Sequence, residues 1–507
     1  MGEYLLGIDC GATVTKAVIF DLAGRELCSA SQTAEASYPH PGHVERDTAR
    51  LWQSAATAVR GALEAAGVAG AEVVAVGVCG HGNGLYPLDR QGEPLGPGIL
   101  SMDTRAAAIV AGWEAQGLPE RLWPQILQSP YAAQPPALLR WLKQHQPERY
   151  RRVGAVLLAK DVVVARLCGT LGSDTTDMGA TGLLDLRQRA YAPELLDAYG
   201  IAEIAGALPP LRESAELAGH VTREAAQATG LLAGTPVVAG MFDVTAGALG
   251  AGATKPGQAC LIAGTWSINA VVTEAPLAQR DLFLNSAYTP GRWLAVDASA
   301  TSCTNLEWFV THCCGEERAE AQARGVSVYD LCAEQVGRLA PHEPTPIFHP
   351  FLFGSNVQAS ARAGFYGIAG WHTKAHLLRA LFEGVVYGHQ SHVEKLRAAG
   401  AEIAAARFIG GGARSAVWSQ IFADALGLEL EVPAGSQIGA RGAALCAGIG
   451  AGVYDDYADA AARAVTIERR HRPDPQAAPV YHERYAAYRQ LLDVMRAPWD
   501  QLDRLGA

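Results

Sequence analysis

The sequence predicts an α/β protein of two related domains, and three observations carry that expectation. Its 507 residues exceed what one hydrophobic core usually covers. Apolar residues make up 49% and charged residues 18%, with 55 glycines, a balance that suits a well-packed enzyme and excludes a disordered or fibrous chain. A strand–glycine–hydroxyl hairpin occurs at Gly11–Thr15 and is echoed at Gly264–Ile268, as an old duplication of one domain would leave.

Tyr4–Asp9 reads as a strand ending in an acid. Gly11, Thr13, Thr15 and Lys16 form a small-residue turn, Ala17–Asp21 returns, and Glu26–Ala30 continues the sheet. This antiparallel start differs from the strand–loop–helix of Rossmann and Walker nucleotide sites. The turn's N–H and O–H groups and its lysine suit phosphate oxygens, and Asp9 suits Mg²⁺ held through water. An ordinary hairpin accounts for the same residues. A helix is expected over Thr48–Ala66, with Asp47 as N-cap and Leu51, Trp52, Ala55, Val59 and Leu63 on one stripe. The strand Val73–Val78 then leads into CGHGNGL. There His81 and Asn83, set between glycines, suit a small hydroxylated ligand or form a plain turn. Asp103 and Arg105 read either as substrate contacts or as a surface salt bridge. Helices are expected at 107–116, 137–145 and 161–167, and Ser173–Asp177 as a capped turn, because no metal-ligand spacing is met there.

The stretch Val237–Asn269 organises the rest. A β-prone run, Thr235–Ala239, stops at Gly240, and Asp243 stands in front of a small-residue helix over Thr245–Ala253. A second apolar run, Ala259–Ala263, ends in Gly264-Thr265. A carboxylate at a strand end ahead of a phosphate turn is how phosphoryl-transfer enzymes place a base, although an acid there also serves as a simple N-cap. Leu282–Asp297 alternates as strand, Thr304–His312 is helical, and Ser360–Gly367 is a glycine-bearing loop. Thr373–Arg397 is a long amphipathic helix whose His389, His392 and Glu394 lack metal-ligand spacing. The strand Arg407–Ile409, three glycines, Ser415 and a helix over Ala416–Leu426 form a nucleotide-binding turn, with a helix N-terminus that favours anions. The final helix, Ala477–Leu502, is expected to fold back on the first domain.

The net charge of −10 and the absence of a Lys/Arg block argue against a nucleic-acid surface. No run approaches the ~18 apolar residues of a membrane span. Ten scattered cysteines with no C-x-x-C read as reduced thiols. With an N-terminus that opens on a strand, they predict a cytoplasmic protein.

Together GIDCGATVTKAVIFD, FDVTAGALGAGA, AGTWSINA, GFYGIAGWHTKAHLLRALFEG and GGGARSAVWSQIFADALG resemble the FGGY family of carbohydrate kinases, over essentially the whole chain. Through SMDTRA, LLRWLK, NLEWF and FLFGSN it looks most like the xylulokinases, and among them the L-xylulose kinase branch. The resemblance implies two actin-like, ribonuclease-H-like ATPase domains, each a mixed five-stranded sheet flanked by helices, around an interdomain cleft. It places the domains at 1–246 and 247–475, with a helix at 476–507 packing back on the first. It makes Asp243 the catalytic base and Asp9 the Mg²⁺-linked aspartate; ionisation of Asp243 at neutral pH requires no pKa shift. ATP would be held by Gly11, Thr13, Thr15 and Lys16, by Gly264 and Thr265, and by Gly411, Gly412 and Ser415. The sugar would meet His81, Asn83, Asp103, Arg105 and Asp243. D-xylulokinases carry GQMHG where this chain has GHGNG, so Asn83 stands in the place of their histidine, which points away from D-xylulose while keeping a pentulose. The implied reaction is phosphorylation of a pentulose by ATP, with L-xylulose favoured over D-xylulose, ribulose, erythritol and glycerol. A non-catalytic sensor of the same fold is the alternative. Family members are often dimers, so a homodimer is implied.

Overall fold

The computed structural model describes residues 3–355 and 357–506. Asn356, which closes the FLFGSN segment, lies outside the described residues. The chain divides into two compact units. The first takes the chain up to Pro256, Val272–Ala295 and Gly435–Thr466; the second takes Gly257–Val271, Val296–Ala434 and the chain from Ile467 onward.

The first unit opens with β1 (Tyr4–Cys10), β2 (Val14–Asp21) and β3 (Glu26–Thr33), an antiparallel meander. β4 (Val73–Gly80) lies parallel to β1, and β5 (Leu217–His220), β6 (Pro236–Val238) and β7 (Met241–Phe242) follow. The strand order is β5–β6–β4–β1–β2–β3, with β7 also pairing with β4. One face is covered by the helix Thr48–Ala66. Asp47 caps it by accepting from Ala49 and Arg50 N–H, and left-handed Gly67 ends it. Leu51, Ala55, Val59 and Leu63 of that helix join Leu6, Ile8 and Val76 in one core.

The other face carries the helix Ile438–Gly450. A methyl group at Gly7 of β1 would overlap the Ala440 carbonyl oxygen, and one at Gly77 of β4 would overlap that of Ala443. Helix backbone rests directly on sheet backbone there, which only glycine allows. This places the small-residue segment Gly439–Gly452 with the first unit, not with the second domain as the expected boundaries have it.

The second unit is built on β8 (Gln258–Ala263), β9 (Ser267–Thr273), β10 (Trp293–Ser299), β11 (Ala405–Ile409), β12 (Leu430–Pro433) and β13 (Ile467–His471). Their order is β10–β9–β8–β11–β12–β13, with β8–β9 antiparallel and β8–β11 and β11–β12 parallel. Five strands, β10–β9–β8–β11–β12, thus repeat the order β3–β2–β1–β4–β6, which is the duplicated five-stranded core. The first sheet is extended by β5 and β7 and the second by β13 and by the edge strand Leu284–Ala287, beyond the five strands expected. The helix Lys374–Ala398 supplies Leu381, Val385 and Tyr387 to the second core. The last helix, Ala478–Gly506, differs from expectation: it belongs to the second unit. Its Tyr481, Tyr485, Tyr488 and Trp499 are buried in that same core, so its aromatic face is committed there. Among the described residues, no helix is long and apolar enough to cross a membrane.

Candidate active site

The site in the first unit is built on the end of β1. Asp9 lies opposite Lys16 across the hairpin, and Lys16 Nζ donates to Gln437 Oε1 at 3.1 Å. Gly439 brings its helix close, since a methyl group there would lie 3.4 Å from Asp9 Oδ2. Burial raises the Asp9 pKa, opposed by Lys16 and by a hydrogen bond from the Cys79 thiol.

Thr15 is corrected by the pleat. Alternate strand residues point to opposite faces, so Thr15 turns away from Asp9 and Lys16. It is fully buried and lines a separate cavity of about 370 Å³ with Gln32, Arg46 and Arg50. Gly11 and Thr13 stay at the turn, Thr13 exposed, while Arg46 donates from behind to the Gly11 and Ala12 carbonyls.

Asp243 follows β7, which runs parallel to β4 with Met241 opposite Cys79 and Phe242 opposite Gly80. Left-handed Gly240 (φ 85°) makes the entry, because a side chain there would overlap the Val78 carbonyl. Asp243 is the first residue of the helix Asp243–Gly250, and the capping position is Phe242, so the acid is not the N-cap. The residue as a whole is half-buried. Burial and then the charge of Asp9 push its pKa up to about 7, against a hydrogen bond from Val244 N–H. The carboxylate is thus shifted, although ionisation at neutral pH requires no shift, because it is buried and a second acid shares its neighbourhood.

His81 and Asn83 are both buried, and Asn83 adopts a left-handed backbone (φ 62°). Burial, with Arg46 nearby, pushes the His81 pKa down to about 4, so the ring is neutral. His81 Nε2 and Asn83 Oδ1 have no hydrogen-bond partner. Between them, a methyl group on Gly82 would fall 2.5 Å from the Phe242 ring and 3.3 Å from Asp177 Oδ1, which sets the loop against the residue preceding Asp243. Asp103 and Arg105 form a buried pair, not a surface one. Asp103 accepts from Val44 N–H and from Arg105 N, Nε and Nη2, and Arg105 also donates to Glu45. Both side chains are enclosed, so their polar groups are committed to tying the loops together.

One feature escaped the sequence reading. Lys160, fully buried, lies 2.5 Å from Asp161, 2.9 Å from Asp174 and 3.8 Å from Asp177. Burial works against its charge, but the three carboxylates outweigh it and hold the lysine pKa above its ordinary value. Burial drives the Asp177 pKa well up, and neither of its oxygens is hydrogen-bonded. Asp177 and Asp243 both raise the Tyr131 pKa, after burial, so these three groups lie near one another. The adjacent Lys160-Asp161 pair and the acids of Ser173–Asp177 were the available signal, separated by a helix.

In the second unit, Gly264 and Thr265 at the β8–β9 turn line a cavity of about 630 Å³ with Gly411, Ser415, Tyr329 and Trp418. Left-handed Gly410 (φ 93°) lets β11 turn beneath Ala263, with a methyl group there 2.5 Å from the Ala263 carbonyl oxygen. Gly412 faces protein, packed on Ala263 and Cys303, and only Gly411 of the pair borders the cavity. The Ser415 hydroxyl is the N-cap of the helix Ala416–Leu426, accepting from Trp418 N–H at 3.1 Å, so its side chain serves the helix. An aromatic wall beside glycine turns and a helix N-terminus suits a purine nucleotide. His389 bonds Asn269 and Ser302, and His392 bonds Asp297 and Ser299, which fixes the long helix to the sheet.

Comparison with known families decides the chemistry. Residues 4–250 match the N-terminal domain of the FGGY family of carbohydrate kinases, and residues 259–451 its C-terminal domain. The chain belongs to this family. This FGGY kinase is 38% identical over 498 residues to the L-xylulose/3-keto-L-gulonate kinase of Escherichia coli strain K12, covering 98% of each chain. It is 36% identical to a probable L-xylulose kinase of Pasteurella multocida strain Pm70, over 98% of this chain and 99% of the relative. An autoinducer-2 kinase of Klebsiella pneumoniae is 34% identical, with 95% and 92% covered. The crystal structure of xylulose kinase from Rhodospirillum rubrum superposes with a TM-score of 0.88 at 27% identity, covering 98% of this kinase and all of that chain. The FGGY kinase is thus an ATP-dependent sugar phosphotransferase.

Proposed function

We propose that this FGGY kinase transfers the γ-phosphate of ATP to the terminal hydroxyl of L-xylulose, giving xylulose 5-phosphate, with Asp243 as general base. The observation that carries the chemistry is Asp243 at a strand end, its pKa pushed up to about 7 beside Asp9. The sugar assignment rests on the relatives of 38% and 36% identity. A pKa near the working pH makes an effective base, and the left-handed Gly240 entry fixes the direction of the carboxylate. His81 Nε2 and Asn83 Oδ1, buried without partners, are groups that sugar hydroxyls satisfy.

The adenosine and phosphates of ATP are assigned to the second unit's cavity at Gly264, Thr265 and Gly411; in the first unit, the turn at Gly11, Thr13 and Lys16 carries donors that suit phosphate oxygens. Asp9 fits Mg²⁺. It is a hard oxygen donor with a second carboxylate close by, and among the described residues no three His, Cys, Asp or Glu are placed to hold a metal ion by themselves. Few protein ligands leave water and phosphate to complete the shell that Mg²⁺ prefers. When bound, the ion neutralises charge on the phosphate oxygens. Asp243 meanwhile orients the hydroxyl and accepts its proton as the oxygen–phosphorus bond forms. The proposal includes a cytoplasmic homodimer, as in many members of the family.

The deciding assay is MgATP-dependent ADP release across L- and D-xylulose, 3-keto-L-gulonate, D- and L-ribulose, erythritol, glycerol and autoinducer-2. Turnover concentrated on L-xylulose is expected. A higher kcat/KM on any other member replaces the sugar and keeps the kinase; ATP binding without turnover on all of them moves the protein to a sensor.

A pH dependence follows. Below its pKa Asp243 is protonated and accepts nothing, so kcat/KM should rise with pH through a midpoint near 7. A profile flat from about pH 5 to 9 would remove Asp243 from the role of base.

A further inference from the structure

We propose that Asp174 and Thr176, anchored by Lys160, are positioning residues for Asp243, an inference that rests on Asp243 being the base. Thr176 donates its hydroxyl proton to Asp174 Oδ2 at 2.6 Å. With its proton so directed, the hydroxyl presents a lone pair to Phe242 N–H, 2.9 Å away. The Phe242 carbonyl accepts from Thr245 Oγ1 at 2.7 Å. Both peptide groups of the residue before Asp243 are therefore held, one by the segment 173–177 and one by the helix that Asp243 begins.

The holding group is itself fixed. Asp174 accepts from Thr176 N–H at 2.9 Å, from Asp177 N–H at 3.3 Å and from Ser214 Oγ at 2.7 Å, and Lys160 Nζ stands 2.9 Å from its other oxygen. Asp174, Thr176 and Lys160 are fully buried. Lys160 in turn sits beneath β4 and the entry glycine: a methyl group on Gly80 would be 3.2 Å from its Cβ, and one on Gly240 3.6 Å from its Cδ. The segment that reads from the sequence as a capped turn therefore does two things. Asp174 caps the short helix Thr175–Gly179, and that helix offers a polarised hydroxyl to the strand end that carries the base. In phosphoryl transfer the protein contributes mainly position, so a shift of the carboxylate registers in turnover more than in binding.

The test is steady-state kinetics of the full-length kinase, with MgATP and the best sugar of the panel, for Thr176→Val, Thr176→Ser and Asp243→Asn. Valine keeps the shape and removes the acceptor; it should lower kcat roughly 10- to 100-fold with KM for sugar and ATP unchanged. Serine keeps the hydroxyl and should turn over like the wild type. A wild-type kcat in Thr176→Val, a loss that Thr176→Ser shares, or an effect confined to KM overturns the proposal. Should Thr176→Val not fold, Thr245→Val cuts the other tie to Phe242 and must show the same kcat loss; a wild-type kcat there overturns it equally. Wild-type turnover in Asp243→Asn shows that the base assignment failed, whereas an inactive Asp243→Asn beside a wild-type Thr176→Val shows that only the positioning role failed.

Discussion

Asp243→Asn is expected to bind ATP like the wild type and to lose ~10²–10⁴-fold in kcat, the usual effect of removing a general base. ATP is assigned to the second unit's cavity, so an uncharged isostere at 243 leaves its contacts in place. Nucleotide titration by calorimetry and single-turnover kinetics separate the two effects; near-normal turnover would end the role of Asp243. The same variant has a second signature. The folded-state pKa of about 7 lies above the unfolded carboxylate value, so the folded protein holds an extra proton in between. The stabilising contribution of that protonated acid is present at low pH and is lost as pH rises to 7. Asparagine stays neutral throughout, so Asp243→Asn should melt above the wild type at pH 8 and converge with it in acid. A base kept at the expense of stability is what a functional carboxylate shows.

Lys160→Met should destabilise the protein by about 3–5 kcal/mol, as removing one partner of a buried ion cluster does. Methionine fills the same channel beneath β4 but leaves Asp161, Asp174 and Asp177 facing one another without a cation. Their burial already raises Asp161 and Asp177, and without the ammonium the cluster relaxes only by taking up protons. The deficit should therefore be smaller at low pH and grow as the medium becomes alkaline. Urea midpoints across pH measure it; a midpoint shift independent of pH would mean that the loss comes from packing rather than charge.

Much of this architecture is legible one residue at a time because its causes are local. Asp47 capping Thr48–Ala66, Ser415 ahead of Ala416–Leu426 and the two glycine–hydroxyl hairpins all follow from short-range backbone chemistry. The place of Asp243, an acid between a strand and a small-residue helix, is legible the same way, while its role as base is what the family resemblance implies. What the sequence hid depends on partners far along the chain. The face to which Thr15 points follows from its register in β2, and the burial of Asp103 and Arg105 from their tie to Val44 and Glu45. The raised pKa of Asp243 comes first from its burial and then from Asp9, more than two hundred residues earlier. Lys160, one residue ahead of the expected helix at 161–167, is enclosed by three acids from two segments, and nothing local announces that. Gly439–Gly452 packs in the first unit although it lies far along the chain, because small residues announce close packing without naming the surface they pack on.

That helix has a consequence for biosynthesis. Gly7 of the first strand is seated against Ala440, and the chain passes from one unit to the other at residues 256, 271, 295, 434 and 466. A ribosome thus delivers the first hairpin more than four hundred residues before the helix that covers it. The nascent sheet must wait, one glycine-lined face open, until nearly the whole polypeptide has emerged. Contacts of such separation slow folding and expose apolar surface meanwhile. Neither half of this kinase is therefore a detachable module, and a fragment ending near residue 250 lacks the backbone that closes its own β1 and β4.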